Sequence, residues 1–160
     1  MAKKQKGIVL GVADTTFSRV DMFKFVEEEM KKSGMPVRIV RYTVPGIKDL
    51  PVACKILLEK NRCDIAMALG MVGGAEIDER CAHEANIGIQ YAQLVANKHI
   101  IGVFIHRKEA KDERDFYSIC ENRTRKHTKN ALALASGESL SKYAGTGRRQ
   151  GREDEGPIGQ

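Results

Sequence analysis

The sequence predicts an α/β protein with a parallel sheet and helices on both faces. Four short apolar runs alternate with helix-like segments along the chain. Three of these runs are nearly continuous in apolar residues, which is typical of strands buried on both faces. Strands that alternate with helices form a layered parallel sheet. At 160 residues the chain is long enough to bury a core as one domain.

The apolar runs are the predicted strands. They read GIVLGVA (7–13), VRIVRYTV (37–44), DIAMALGMV (64–72) and HIIGVFIH (99–106). The basic and then apolar N-terminus also has some features of a signal peptide, but its apolar part is short and no Ala-x-Ala-like cleavage site follows. We therefore interpret it as the first strand and expect a cytoplasmic protein. No apolar run approaches the roughly 20 residues of a membrane span.

Helix signals lie between these runs. In the first helix, Ser18 and Asp21 are spaced as in a capping box, and Gly34 marks the end. Its predicted inner face consists of Val20, Phe23, Val26 and Met30. The second helix is expected at about 50–60, with Pro51 in its first turn.

The third and fourth helical regions differ in character. The third, at about 78–97, has small apolar residues along one seam: Ala82, Ala85, Ile89, Ala92 and Ala96. The fourth, at about 108–136, begins acidic and becomes basic, and it is either one long helix or two. The predicted single domain spans 1–145, and the Gly-rich, charged tail 146–160 is typical of disorder.

Composition limits the possible partners only weakly. The net charge of +6, from 27 basic and 21 acidic residues, favours an anionic partner such as nucleic acid or a phosphorylated metabolite. The charges are dispersed, and only 122–130 forms a basic cluster. The four cysteines form no CxxC pair and have no zinc-finger spacing, so we predict small buried thiols and no metal site.

A binding site is expected where the strands end. In open parallel sheets, ligands bind beyond the carboxyl ends of the strands. There the chain reads ADTTFSR, TVPGIKD, GMVGGAEIDERCAHE and IHRKEAKDE. Phe17 is either a ring that stacks on a flat heterocycle or a core residue under a polar turn. The segment GMVGG exposes backbone N–H groups, but it matches neither a dinucleotide fingerprint nor a P-loop.

His83 is the best-placed candidate for proton transfer among these segments, although a lone helical histidine is more often structural. No serine lies in a nucleophile elbow, so hydrolase chemistry has no basis. The residues alone therefore indicate a small α/β protein that binds a planar, polar small molecule.

Several motifs resemble those of a known family. VPGIKDLPVACK is similar to the PGA-x-E-L-P loop of lumazine synthases. DTTFSRVDM, TVPGIKDLPVACK, CAHEA, NKHII-x-VF and the tail RQGREDEGP resemble the archaeal-type riboflavin synthases, which are paralogues of lumazine synthase. The resemblance covers nearly the whole chain. It implies a flavodoxin-like three-layer α/β/α sandwich with strand order 2-1-3-4, assembled as a homopentamer with active sites between neighbouring subunits.

The resemblance also implies an activity and a site. Two molecules of 6,7-dimethyl-8-ribityllumazine would dismutate to riboflavin and 5-amino-6-ribitylaminouracil, without a flavin or nicotinamide cofactor and with possible Mg²⁺ dependence. Phe17 would stack on the ring, Pro45 to Ile47 would shape the ribityl pocket, and Asp49 would accept hydrogen bonds from hydroxyls. The other predicted substrate-binding residues are Thr15, Thr16, Gly46, Gly70, Met71 and Gly73, with Ile101 and Arg123 contributed by a neighbouring subunit. The tail 146–160 would then be ordered as a cover over a neighbouring active site.

One departure separates the two paralogues. Lumazine synthases have a Thr-His pair after the glycine loop, where this sequence has Glu76 and Ile77. The predicted proton-handling residues are therefore Glu76, His83 and His106, which we do not rank. Two alternatives stay open: a lumazine synthase that uses a four-carbon phosphate, and a non-catalytic module that binds flavin or RNA. Aromatic residues make up only 6% of the chain and are not interleaved with basic residues, so we expect no nucleic-acid partner.

Overall fold

The computed structural model, which describes residues 7–150 and 152–159, contains a four-stranded parallel sheet. The elements in chain order are β1 (Ile8–Thr15), α1 (Met22–Ser33), β2 (Val37–Val44), α2 (Leu50–Glu59), β3 (Ile65–Val72), α3 (Glu76–Ala96), β4 (Ile100–His106) and α4 (Glu113–Ser136). The strands lie in the order β2-β1-β3-β4. This confirms the predicted fold class and strand order.

The sheet separates two apolar cores. Helices α2 and α3 cover one face, and α1 and α4 cover the other. Successive strand residues point to opposite faces, so Val12 belongs to the core under α1 and Ala13 to the core under α2. All eight residues of β3 are buried, since this strand has a neighbour on each side and helices on both faces. This burial explains its unbroken apolar sequence.

The start of the first helix differs from the prediction. Asp21 is the N-cap of α1, and its carboxylate accepts a hydrogen bond from the Lys24 N–H at 3.3 Å. The Ser18 hydroxyl instead donates to the Val20 carbonyl at 2.8 Å. The predicted capping box is therefore wrong, because Ser18 stabilises the preceding turn. The buried face shifts with the helix start and consists of Met22, Phe25, Val26, Glu29 and Met30.

Other element predictions agree with the structure. The predicted seam of α3 is buried at Ala82, Ala85, Ile89 and Ala92. The region 108–136 contains one α-helix, α4, whose N-cap Asp112 accepts from the Asp115 N–H at 2.8 Å.

Of the free cysteines, Cys54, Cys63 and Cys120 are buried and Cys81 is half-buried. Burial raises the pKa of the Cys54 and Cys120 thiols to about 12, which keeps them unreactive.

The described part of the tail packs beside α4. The Lys126 ammonium donates to the carbonyls of Arg149 and Arg152 at 3.5 and 3.4 Å, and Arg152 pairs with Glu109 at 3.3 Å. The predicted role of the tail as a cover over a neighbouring site stays a prediction. None of the helices in the described ranges is long and apolar enough to cross a membrane.

We expect that Gly11→Ala destabilises the fold, because α2 packs directly against β1 at this glycine. An added Cβ would lie 2.9 Å from Leu57 Cβ and 3.1 Å from Cys63 Sγ. The expected loss is about 1–3 kcal/mol in the free energy of unfolding, measured by urea titration. Gly102→Ala is the matched control, since its nearest atom would be Asn86 Oδ1 at 3.7 Å. Equal losses in both variants would contradict the packing argument.

Candidate active site

A cavity of about 290 Å³ opens at the carboxyl edge of the sheet. The loops after β1 and β2, the end of β3 and the first turns of α3 form its walls. The structure brings together seven of the predicted substrate-binding residues here: Phe17, Pro45, Gly46, Ile47, Asp49, Met71 and Gly73. Lys48, Val72, Asp78 and Cys81 complete the lining. We call this space the clamp cavity.

Phe17 presents its ring to the clamp cavity and to solvent. It is 54% exposed, so the alternative of a core phenylalanine under a polar turn is wrong. The cavity wall around it includes Ile47, Met71 and Val72. An accessible ring beside these apolar side chains is suited to stacking on a flat heterocycle.

The loop after β2 is held in place by its own polar groups. The Asp49 carboxylate accepts a hydrogen bond from the Gly46 N–H at 3.2 Å through Oδ2. Lys48 pairs with Glu84 of α3 at 2.6 Å, which ties the loop to that helix. Their hydrogen bond raises the pKa of Lys48 and lowers the pKa of Glu84. The loop is thus pre-shaped before any ligand binds.

Two glycines allow the cavity walls to approach each other. Gly70 does not line the clamp cavity: a Cβ there would lie 2.8 Å from the Phe104 ring and 3.1 Å from Ile47 Cγ2. Gly73 does line it, and a Cβ there would lie 2.3 Å from Asp78 Oδ2. Glycine at position 70 leaves room for the side chains of Phe104 and Ile47, and glycine at position 73 leaves room for the Asp78 carboxylate.

The two predicted threonines lie at a neighbouring cavity of about 290 Å³. Its lining includes Asp14, Thr15, Thr16, Arg41 and Thr43. The Asp14 carboxylate accepts from the Arg41 guanidinium at 2.6 and 3.1 Å and from the Thr43 hydroxyl at 2.6 Å. The Thr16 hydroxyl donates to the Pro45 carbonyl at 3.3 Å, so this residue supports the clamp loop from behind.

The predicted proton-handling residues are dispersed, and none of them lines the clamp cavity. The Glu76 side chain is 91% exposed and pairs with Arg80 at 3.6 Å. His83 is exposed on α3. The His106 Nδ1 lies 2.9 Å from Glu79 Oε2 at the end of β4. Their catalytic roles stay predictions.

Ile101 and Arg123 lie away from the clamp cavity of their own chain. Ile101 lines a third cavity of about 500 Å³, between β4, α4 and the tail. The Arg123 guanidinium donates to both oxygens of Glu109 at 2.7 Å and to the Phe104 carbonyl at 2.9 Å. Burial raises the pKa of Glu109, but the hydrogen bonds from Arg123 and the His106 N–H outweigh it and bring that pKa to about 2.

His127 also lines the third cavity and was not selected from the sequence. Burial, together with the nearby charge of Arg123, lowers the pKa of His127 to about 4. Its imidazole is therefore neutral at physiological pH. In the sequence it lies within the basic run 122–130, which gives no sign that one of its members is enclosed.

Comparison with known proteins agrees with this geometry. The family described as 6,7-dimethyl-8-ribityllumazine synthase matches residues 7–138. A protein named riboflavin synthase from Methanothermobacter marburgensis is 47% identical over 94% of this chain and 99% of its own length. Another from Archaeoglobus fulgidus is 49% identical over 93% of this chain and 97% of its own.

The chain therefore belongs to the 6,7-dimethyl-8-ribityllumazine synthase family. Within that family, its similarity to the archaeal proteins named riboflavin synthase extends over nearly the whole chain. A protein named 6,7-dimethyl-8-ribityllumazine synthase from Methanocaldococcus jannaschii is 33% identical over 59% of this chain and 71% of its own length.

We expect His127 to make stability depend on pH. In the folded state the pKa of the His127 imidazole is about 4, whereas the ordinary pKa of a histidine is 6.5. As the pH falls, the unfolded state therefore binds a proton at this residue before the folded state does. Stability is then lost between pH 6.5 and about 4. Urea midpoints across that window should fall less steeply in His127→Asn than in the wild type. Exposed His99→Asn is the control, and an identical slope in all three proteins would contradict the expectation.

Proposed function

We propose that this protein is a riboflavin synthase. It converts two molecules of 6,7-dimethyl-8-ribityllumazine into riboflavin and 5-amino-6-ribitylaminouracil by moving a four-carbon unit from one to the other. The observation that carries the proposal is the similarity over 94% of the chain to a protein named riboflavin synthase, compared with 59% for a lumazine synthase.

The clamp cavity supports binding of a lumazine. Phe17 stacks on the ring, and the loop from Pro45 to Asp49 holds the ribityl chain through backbone groups and the carboxylate. The reaction joins two copies of one substrate, so orientation is the main contribution required of the protein. Fixing two reactants in a near-attack pose contributes up to roughly 7–11 kcal/mol to lowering a barrier.

The rival lumazine synthase function has less support. The resemblance places a histidine of that enzyme where this chain has Ile77, which is 58% exposed. In the part of the chain that the structure describes, no histidine lines the clamp cavity. A condensation that depends on an imidazole beside a phosphate-binding pocket therefore lacks its proton-transfer group at this position.

The proposed assembly is a homopentamer with active sites between neighbouring subunits. The outward face of α3 supports self-association, because it carries large exposed apolar side chains: Ile77, Ile87, Tyr91, Leu94 and Val95. A neighbouring copy would close the clamp cavity through its region around Ile101 and Arg123. The number five comes from the family resemblance.

The proposal includes no flavin or nicotinamide cofactor, since one substrate molecule donates the four-carbon unit and the other accepts it. Among the described residues, no group of three His, Cys, Asp or Glu side chains could hold a metal ion. The possible Mg²⁺ dependence stays a prediction. The proposed compartment is the cytoplasm, in keeping with four free cysteines.

The first test is turnover with lumazine as the only substrate. Riboflavin fluorescence should rise above a no-enzyme blank, with one aminouracil formed per riboflavin by chromatography. Phe17→Ala should lower kcat/KM by about one to two orders of magnitude, because stacking of a base on an aromatic ring contributes about 1–3 kcal/mol. Formation of lumazine from the aminouracil and a four-carbon phosphate, with no riboflavin, would favour the rival function instead.

The second test concerns assembly. Leu94 is 77% exposed in the single chain, so Leu94→Glu should leave each subunit folded but prevent close apolar contact between copies. Light scattering during size-exclusion chromatography should show a pentamer for the wild type and smaller species for the variant. Lys31→Glu, at an exposed position of α1, is the control for the effect of the added charge. A wild-type monomer, or an intact variant pentamer, would overturn the role of this face.

A further inference from the structure

Asp78 is an acidic residue of the clamp cavity that the sequence analysis did not select. It lies in the first turn of α3 and lines the cavity with Gly73 and Cys81. Asp49, on the loop after β2, is the other carboxylate in the cavity lining. The cavity therefore has one carboxylate on each of two separate walls.

One oxygen of Asp78 is held by the backbone. Its Oδ2 accepts a hydrogen bond from the Ala75 N–H at 3.0 Å. A Cβ at position 73 would lie 2.3 Å from the same oxygen, so glycine at that position keeps the space open for the carboxylate. Among the described residues, Oδ1 of Asp78 has neither a hydrogen-bond nor an ion-pair partner. This oxygen is available to a ligand.

Ionised carboxylates accept hydrogen bonds and do not donate them, so a matching ligand must present donors at two places. The apolar part of the same lining includes Ile47, Met71 and Val72. A ribityl-substituted lumazine has this arrangement: hydroxyls on the chain at one end, an imide N–H on the pyrimidine edge of the ring, and a flat ring between them. The Asp49 loop is the proposed site of the ribityl chain.

We propose that Asp78 orients the lumazine ring by accepting a hydrogen bond from its imide N–H. This inference rests on the proposed function and adds a specificity determinant to the same site. The contact is charge-assisted, which makes it stronger than a neutral hydrogen bond. It selects rings that carry a donor on this edge, and it fixes the direction in which the methyl-bearing edge of the ring points.

The test uses Asp78→Asn. The amide oxygen still accepts from the Ala75 N–H, while the atom in place of Oδ1 becomes an NH₂ donor that opposes the ring N–H. Fluorescence titration with 6,7-dimethyl-8-ribityllumazine should show a Kd raised about 10- to 100-fold. Asp112→Asn is the matched control, since Asp112 caps α4 through the Asp115 N–H at 2.8 Å and lies outside the clamp cavity. Its Kd should equal that of the wild type.

A lumazine methylated on the imide nitrogen separates the ring contact from other effects. Methylation should weaken binding to the wild type more than binding to Asp78→Asn, because the variant has already lost the acceptor. An unchanged Kd in Asp78→Asn, or equal losses on methylation in both proteins, would overturn the inference. Failure of the proposed function would appear separately, as absence of riboflavin formation by the wild type.

Discussion

The parallel pairing of β1 with β2 and β3 is the constraint on which the site depends, because it brings three loops to one edge of the sheet. Thr15 pairs with Val44 at the end of the β1–β2 ladder. The Thr16 N–H donates to the Val44 carbonyl at 2.9 Å and so extends the ladder by one hydrogen bond. The Thr16 hydroxyl donates to the Pro45 carbonyl at 3.3 Å. These contacts place Phe17, the next residue, beside the clamp loop.

The loops after β2, β3 and β4 share one physical device. Each closes through an acidic side chain that accepts from the backbone N–H three residues earlier: Gly46 by Asp49 at 3.2 Å, Ala75 by Asp78 at 3.0 Å, and His106 by Glu109 at 3.0 Å. These bonds satisfy N–H groups that a new helical turn would otherwise leave unpaired. They also hold each loop through groups of the protein itself, which reduces the ordering that binding requires.

Local sequence patterns placed many residues of the candidate site. Phe17 and the loop 45–49 follow predicted strands, so the sequence placed them at the edge of the sheet where a ligand is expected, whereas the family resemblance assigned the roles of Phe17, Pro45 to Ile47 and Asp49 in binding. The capping pattern at Ser18 was misread because serine and aspartate both favour turns and caps, and the sequence does not distinguish a turn from the helix start that follows it. The structure alone separated Thr15 and Thr16 from the clamp cavity.

The sequence by itself therefore determined the order of elements, the parallel sheet and the loops that lie at its carboxyl edge, since apolar periodicity and turn chemistry are encoded locally. Only the tertiary structure decided which ionisable groups share a cavity. Asp78 looks like an ordinary helix-start acid, and His127 like one member of a basic run. Phe17 and Gly73 share a cavity with Asp78, and residues of β4 and the tail share one with His127. The positions of these neighbours depend on folding. The environment that sets hydrogen-bond availability and pKa is a property of those distant neighbours.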